Sequence, residues 1–358
     1  MSDKILVNGR FLTPKINGGV KRFSVNVVRE LSRLAPDKYL IVCPKDADTS
    51  LLGGGVDTVS VGAFKGKLGI LWEQISLPAY ARRSRAPLLS LCNVSPRLYG
   101  DYVVLHDVIW AEKDMMSARN EKEKKWAARM DRLTKAAVRQ CRRIFTVSEF
   151  SKSRISALYG VAPDRISVIY TACDHCRDIV PEPCSGVPTD GDYYLSVSSL
   201  MGNKNFAYVE KLAAQTPNEL FCVVGRPLNY SASASLPNVR YLGELSDGEM
   251  AYCYAHCKAY ITPSLYEGFG ITPLEALAFG CRRLYLSDIP VFREIYDGVA
   301  NFFDPRDTSD FARAEKEGVD ADGSVVRELM SKYTWANVAG ALDKAISADE
   351  LGKNGDRT

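Results

Sequence analysis

Two glutamates, Glu267 and Glu275, stand with seven residues between them in the run Pro263-Ser264-Leu265-Tyr266-Glu267-Gly268-Phe269-Gly270-Ile271-Thr272-Pro273-Leu274-Glu275-Ala276-Leu277-Ala278-Phe279-Gly280. Gly268 and Gly270 let the intervening backbone come close to a ligand. Residues 259–262 read as a strand leading into this turn. Pro273 reads as the first position of a helix, where its missing N–H has no partner to lose. Thr272 and Glu275 have the Thr-x-x-Glu spacing of a capping box, and Gly280 sits where a C-cap glycine would. A strand, a glycine turn and a helix N-terminus together make an anion site. The flanking carboxylates add acceptors for hydroxyl groups. This chemistry suits an anionic, hydroxyl-rich ligand, although capping alone would also account for Glu275.

Other residues have the right type and place to join in. Gly18 and Gly19 lie between the first strand and a helical stretch over 21–34, so their amides could face a phosphate. His106 and Asp107 directly follow a strand over 102–105; Asp107 could equally close a turn on its own backbone. Ser151, after a strand over 144–147, is a candidate N-cap for the next helix. Lys204 and Arg226 follow the strands over 193–197 and 220–224 and offer cations to an anionic ligand. Among the ten cysteines, Cys43, Cys222 and Cys281 lie in or beside apolar strands and read as small hydrophobes. Cys173-x-x-Cys176, with His175 inside it and Cys184 beyond, is the one metal-like spacing. It lacks a second paired half, so the expectation is no metal and reduced thiols.

The elements that must hold these residues follow an alternating pattern. Short apolar runs at 5–7, 39–43, 58–61, 88–91, 102–105 and 144–147 alternate with helical segments, as they do again from 193–197 through 220–224, 239–242, 259–262 and 283–286. This is the signature of parallel α/β sheets. The polar, proline-rich stretch 178–192 reads as a linker. The expected organisation is therefore an N-terminal Rossmann-like domain over 1–177, the linker, a second Rossmann-like domain over 193–330, and a terminal helix over 331–358. A length of 358 residues suits two domains, and a formal charge of +3 is too small to argue for nucleic acid. No apolar run approaches the length of a membrane span, and residues 1–7 enter a strand without a signal peptide's apolar stretch. The expected location is the cytoplasm. Residues 119–143 form a basic helix with ten Lys or Arg against three acids. Trp126, Met130, Leu133, Ala137 and Cys141 give it one apolar stripe, which suits either core packing or an anionic membrane surface.

The run from Pro263 to Gly280 resembles the Glu-x7-Glu signature of retaining glycosyltransferases of the GT-B fold, family 4. The resemblance implies α/β architecture with two Rossmann-like doubly wound domains facing a central cleft, the first on the acceptor side and the second binding a nucleotide sugar. It implies that Glu267 sits beside the donor sugar, that the backbone of Phe269, Gly270, Ile271 and Thr272 holds hydroxyls and phosphate, and that Glu275 grips the ribose. Gly18 and Gly19 are similar to the family's first glycine loop. His106 and Asp107 match its His-Asp pair, Lys204 its phosphate lysine, and Ser148 to Ser151 its V-S-x-x-S element. Several positions depart from the pattern: Ser199 and Asn203 replace expected basic or hydroxyl residues, and Tyr170-Thr171-Ala172-Cys173-Asp174 replaces N-G-V-D. The terminal Tyr333-Thr334-Trp335 resembles a helix that returns to the first domain. Residues 5–12 resemble bacterial enzymes that build surface polysaccharides with mannose or deoxyhexoses. The implied activity is metal-independent transfer of a hexose from a nucleotide diphosphate sugar, GDP-mannose or similar, to a saccharide or lipid-linked saccharide acceptor. Its implied catalytic residues are Glu267, His106 and Asp107. If the acceptor is lipid-linked, the basic helix would touch the inner face of the cytoplasmic membrane. The alternatives are a non-catalytic nucleotide-sugar-binding partner and a GT-B nucleotide-sugar epimerase.

Overall fold

The computed structural model describes residues 4–14, 16, 18–62, 71–117, 120–188, 190, 192–197, 202–225 and 236–355. Two all-parallel sheets organise them. The first contains β1 (Ile5–Asn8), β2 (Tyr39–Cys43), β3 (Thr58–Ser60), β4 (Leu88–Ser90), β5 (Tyr102–Val104), β6 (Arg143–Thr146) and β7 (Ile166–Val168). Their spatial order is β3-β2-β1-β4-β5-β6-β7. Its central strands, with sequences such as Ile-Leu-Val-Asn and Tyr-Val-Val, are buried along their length, as strands covered by helices on both faces must be. Val7 lies opposite both Ile41 and Leu89, so β1 is the seam where the order reverses.

The second sheet contains β8 (Tyr194–Val197), β9 (Phe221–Val224), β10 (Val239–Gly243), β11 (Ala259–Thr262), β12 (Leu284–Ser287) and β13 (Asn301–Phe303), in the order β10-β9-β8-β11-β12-β13. It repeats the first six-strand pattern, with the reversal now between β8 and β11. Tyr194, Phe221, Ile261, Tyr285, Phe303 and Phe311 fill one face of it. Two edge strands go beyond the expected set. No apolar run marked β7 or β13. Each is a partly buried edge strand and lacks the continuous apolar run that marks the buried β4 and β5 at the same length.

The chain divides into two compact units, the first comprising the described residues up to 116, 120–172 and from 334 onward, the second comprising Ser117 and the described residues of 173–333. The helix Trp335–Gly355 thus belongs with the first sheet. It buries Trp335, Val338, Ala339, Leu342 and Ile346, a stripe at three- and four-residue steps, and lies along the helix Gly19–Leu34. Asp343 accepts from Lys38 Nζ (2.6 Å) and Tyr39 OH (2.7 Å), while Glu350 accepts from Arg142 Nη2 and Tyr102 OH, both at 2.7 Å.

The basic segment forms the helix Glu121–Gln140, started by a capping box between Asn120 and Glu123. Its buried stripe is Ala127, Thr134, Ala137 and Val138. Met130 and Leu133 are half-buried, and Trp126 is 44% exposed, its ring edge-on to Trp110. The expected stripe is therefore rotated, because Ala127 and Thr134 pack inward where the larger Trp126 cannot. After β6, Ser148 caps the helix Glu149–Tyr159 through the Ser151 N–H, and Ser151 occupies the third helical position instead of the cap.

Candidate functional site

In doubly wound sheets, ligands bind beyond the strand ends where the order reverses. In the second sheet that place lies between β8 and β11. The chain leaves β8 towards Lys204 and leaves β11 into the glutamate-bearing turn, and the two connections meet. Lys204 Nζ lies 2.6 Å from Glu267 Oε1, and Ser264 Oγ donates to the same oxygen at 2.7 Å. Asn203 fixes the approach: its side-chain amide donates to the Tyr266 carbonyl and its own carbonyl accepts the Leu265 N–H. Its Oδ1 is buried without a partner among the described residues. The position that departs from the basic family pattern thus serves to join the two loops. The side chains of Lys204 and Glu267 are 21% and 14% exposed, shielded from most solvent yet within reach of a ligand.

Gly270 then turns the chain with φ 76° and ψ 75°, a left-handed conformation. A Cβ there would stand 2.3 Å from the Phe292 ring. Tyr296 OH donates to the Gly270 carbonyl, and Tyr260 OH donates to Thr272 Oγ1 at 2.7 Å. Held this way, the helix begins at Ile271, two residues before Pro273. The proline occupies the third position, still inside the first turn whose N–H groups lack helical partners. The expected capping box is therefore not formed: Thr272 lies within the helix, and no side chain caps its start. Glu275 instead points a buried carboxylate at Tyr254 OH (3.5 Å) and His175 Nε2 (4.0 Å). At the far end the Gly280 N–H reaches Leu277 O and the Cys281 N–H reaches Ala276 O, a Schellman motif around the glycine. The Phe269 ring is buried edge-on against Tyr333.

In the first unit, Gly18 (φ 72°) caps the helix Gly19–Leu34 without any side-chain bond, and among the described residues neither Gly18 nor Gly19 has an atom within 4 Å of where a Cβ would stand. Phe23, one turn into that helix, meets the His106 ring edge-on at 4.6 Å. The His106 N–H donates to Asn93 Oδ1 (2.6 Å), and its Nε2 faces the Leu91 carbonyl at 3.0 Å. A carbonyl only accepts, so Nε2 carries the proton and Nδ1 holds a lone pair. Burial pushes this imidazole down to about 4, against the pull of the Leu91 carbonyl. At neutral pH His106 is an uncharged acceptor on Nδ1. Asp107 accepts the Ile109 N–H at 3.0 Å, the turn its sequence position allowed.

The same reversal point in the first sheet holds a group that the sequence did not announce. Glu73, buried on the π-helical turn Trp72–Ser76, accepts from Asn8 Nδ2 at 2.8 Å and pairs with Arg10. Burial pushes its carboxyl up while Arg10 pulls it down, and the net direction is up. Beside it opens a cavity of about 320 Å³ lined by Glu73, Gln74, Arg97, Arg129, Arg132 and Leu133. π-Helical turns of this kind often occur at functional sites, but no sequence period marks one. Arg226 and Ser199 lie outside the described residues.

One further group has the chemistry of metal ligands. His175, Cys176 and Glu275 each place a donor atom within 4.8 Å of the other two. The Cys176 thiol is drawn down by the neighbouring Cys173 thiol and by His175, against the effect of burial.

With the geometry described, known proteins can be set beside the chain. Residues 17–177 match the family described as Glycosyltransferase Family 4, and residues 183–319 match Glycosyl transferases group 1. The O-antigen chain mannosyltransferase RfbU of Salmonella typhimurium is 31% identical over 219 residues, which is 58% of this chain and 60% of that protein. O-antigen chain mannosyltransferase B of Escherichia coli is 26% identical over 55% of this chain and 54% of its own length. The chain thus matches less than two thirds of either relative. A sucrose-phosphate synthase from Thermosynechococcus elongatus superposes with a TM-score of 0.71 at 13% identity, covering 98% of this chain and 99% of that one. That likeness is one of fold, and the fold is GT-B.

Proposed function

This chain joins a Glycosyltransferase Family 4 domain to a Glycosyl transferases group 1 domain, and from that premise we propose that it transfers a hexose from a nucleotide diphosphate sugar, with retained anomeric configuration and without a metal. The observation that carries the reading is the Lys204–Glu267 pair at the reversal point of the second sheet, directly before the uncapped helix Ile271–Ala278. Both mannosyltransferase relatives favour mannose, with GDP-mannose the first donor to test. The acceptor is a saccharide or lipid-linked saccharide of a surface polysaccharide. Work on a lipid-linked acceptor would place the protein at the inner face of the cytoplasmic membrane, with the exposed basic face of Glu121–Gln140 as the contact.

In this mechanism the donor diphosphate takes up Lys204 and the backbone amides of Gly270, Ile271 and Thr272, while in the first unit the amides of Gly18 and Gly19 offer an anion site of their own. Glu267 is released from the lysine and keeps the Ser264 hydroxyl, which orients it to accept from a sugar hydroxyl. Glu275 accepts from the ribose. In the first unit His106, neutral, offers Nδ1 as an acceptor for a sugar hydroxyl, and Asp107 holds the turn behind it. The departing diphosphate takes the acceptor's proton on the face of attack, and the protein's share is stabilisation of the charge that develops on the leaving group.

Calorimetric titration with GDP, UDP, dTDP and ADP and their sugars in the presence of EDTA tests the donor site. Binding of one nucleotide series names the base, and retention of affinity in EDTA supports the metal-free reading. Glu267→Ala should keep nucleotide affinity within a few fold and lose sugar transfer by at least about a hundredfold. Full transfer by that variant would remove Glu267 from the mechanism, and donor binding without turnover across acceptors would favour a binding protein.

A further inference from the structure

The 3-10 turn Asp174–Asp178 and the helix Ile271–Ala278 present three side chains of the kind that bind borderline-soft divalent cations. His175 Nε2 stands 3.9 Å from Cys176 Sγ and 4.0 Å from Glu275 Oε1. A tetrahedral zinc ion bound to nitrogen, sulfur and oxygen at about 2.1, 2.3 and 2.1 Å would hold those atoms about 3.4–3.6 Å apart. Movements of about 1 Å would close the set. Cys176 is buried, and the side chains of His175 and Glu275 keep 14% and 11% of their surface exposed, so an ion could enter and then lose most of its water. The turn and the helix both lie inside the second unit, so the three ligands share one framework. Tyr254 OH, 3.5 Å from Glu275 Oε2, steadies the carboxylate from behind, in the manner of the outer partners that orient metal ligands.

We propose that His175, Cys176 and Glu275 form a zinc-binding site, and that zinc bound there competes with the nucleotide sugar for Glu275. The competition rests on the reading of Glu275 as the ribose acceptor; the site itself does not. On binding, Cys176 gives its proton to the buffer, zinc sheds water for sulfur, nitrogen and oxygen, and a fourth position stays open to water. Zinc here is an inhibitor of the transferase and takes no part in its chemistry. Cys173, whose thiol donates to the Leu274 carbonyl, lies outside the triad.

The test uses the full chain, stripped with EDTA and kept reduced. Cobalt(II) should bind one equivalent with a near-ultraviolet thiolate charge-transfer band, and zinc should displace it. Cys176→Ser should abolish the band, and His175→Gln should weaken metal binding by at least about tenfold. Cys173→Ser should keep both, and unchanged circular dichroism would show that the variants fold. Absence of the band, or its survival in Cys176→Ser, overturns the site. With zinc bound, the apparent Kd for GDP should rise in proportion to zinc concentration. Metal binding with unchanged GDP affinity overturns the competition. If no nucleotide binds the zinc-free protein, the donor reading fails, and the cobalt band still decides the site on its own.

Discussion

His106 shows how one buried side chain ties the candidate site to the stability of its domain. Its imidazole titrates near 4 in the folded protein, because burial disfavours the charged ring, against about 6.5 in an unfolded chain. Between those values the unfolded state binds a proton that the folded state refuses. The contribution of His106 is therefore complete above about pH 6.5 and is lost as pH falls towards 4, by at most about 3 kcal/mol. Urea unfolding at pH 7.5 and pH 4.5 should show this loss, and His106→Gln should lose less between the same two pH values. Equal losses in both proteins would mean that the ring is not held neutral. Single residues were legible in the sequence where their types are rare in combination: Glu267, Lys204 and His106 were all named from it. Their partners were not, because pairs such as Lys204 with Glu267, or His175 with Glu275, are made only by folding and leave no mark in spacing.

Strands were legible where their apolar runs are continuous. The strands Tyr39–Cys43 and Ala259–Thr262 coincide with their apolar runs, whereas the partly buried edge strands β7 and β13 interrupt theirs with Ser167 and Asn301. The start of Ile271–Ala278 was misplaced for a different reason. Proline and a Thr-x-x-Glu spacing argue locally for a start at Pro273, but contacts from Tyr260, Phe292 and Tyr296 fix the turn around Gly270 and begin the helix earlier. Gly270 is the residue on which this arrangement depends. An alanine there would need a left-handed backbone and would place its methyl group inside contact distance of Phe292. Gly270→Ala should cost at least about 2 kcal/mol in urea unfolding. Phe292→Leu should recover part of that loss in the double variant, the mark of direct coupling. Additive losses would show that the strain lies in the backbone alone.

At the scale of the molecule, the first unit is built from both ends of the chain. Trp335 meets Phe23 at 5.8 Å, and Phe23 in turn meets His106. Asp343, Asp349 and Glu350 bind Lys38, Arg143 and Arg142. A chain ending at Tyr333 should keep slow amide exchange in strands β8, β11 and β12 and lose it in β1, β2 and β5; protection of β1 equal to the full chain would show the terminal helix to be dispensable. The family resemblance pointed to a returning terminal helix, but the stripe that it buries against Gly19–Leu34 depends on a partner more than three hundred residues away.

The same helix sets an order of events during synthesis. Residues up to 172 leave the ribosome first, yet their hydrophobic surface around Phe23 stays uncovered until Trp335 and the turns after it emerge. Residues 173–333, made later, have every strand of their own sheet before that moment. Of the two units, the one whose strands are translated first is therefore the one that finishes folding last, and the exposed face of helix Gly19–Leu34 is the surface on the nascent chain that a chaperone would meet.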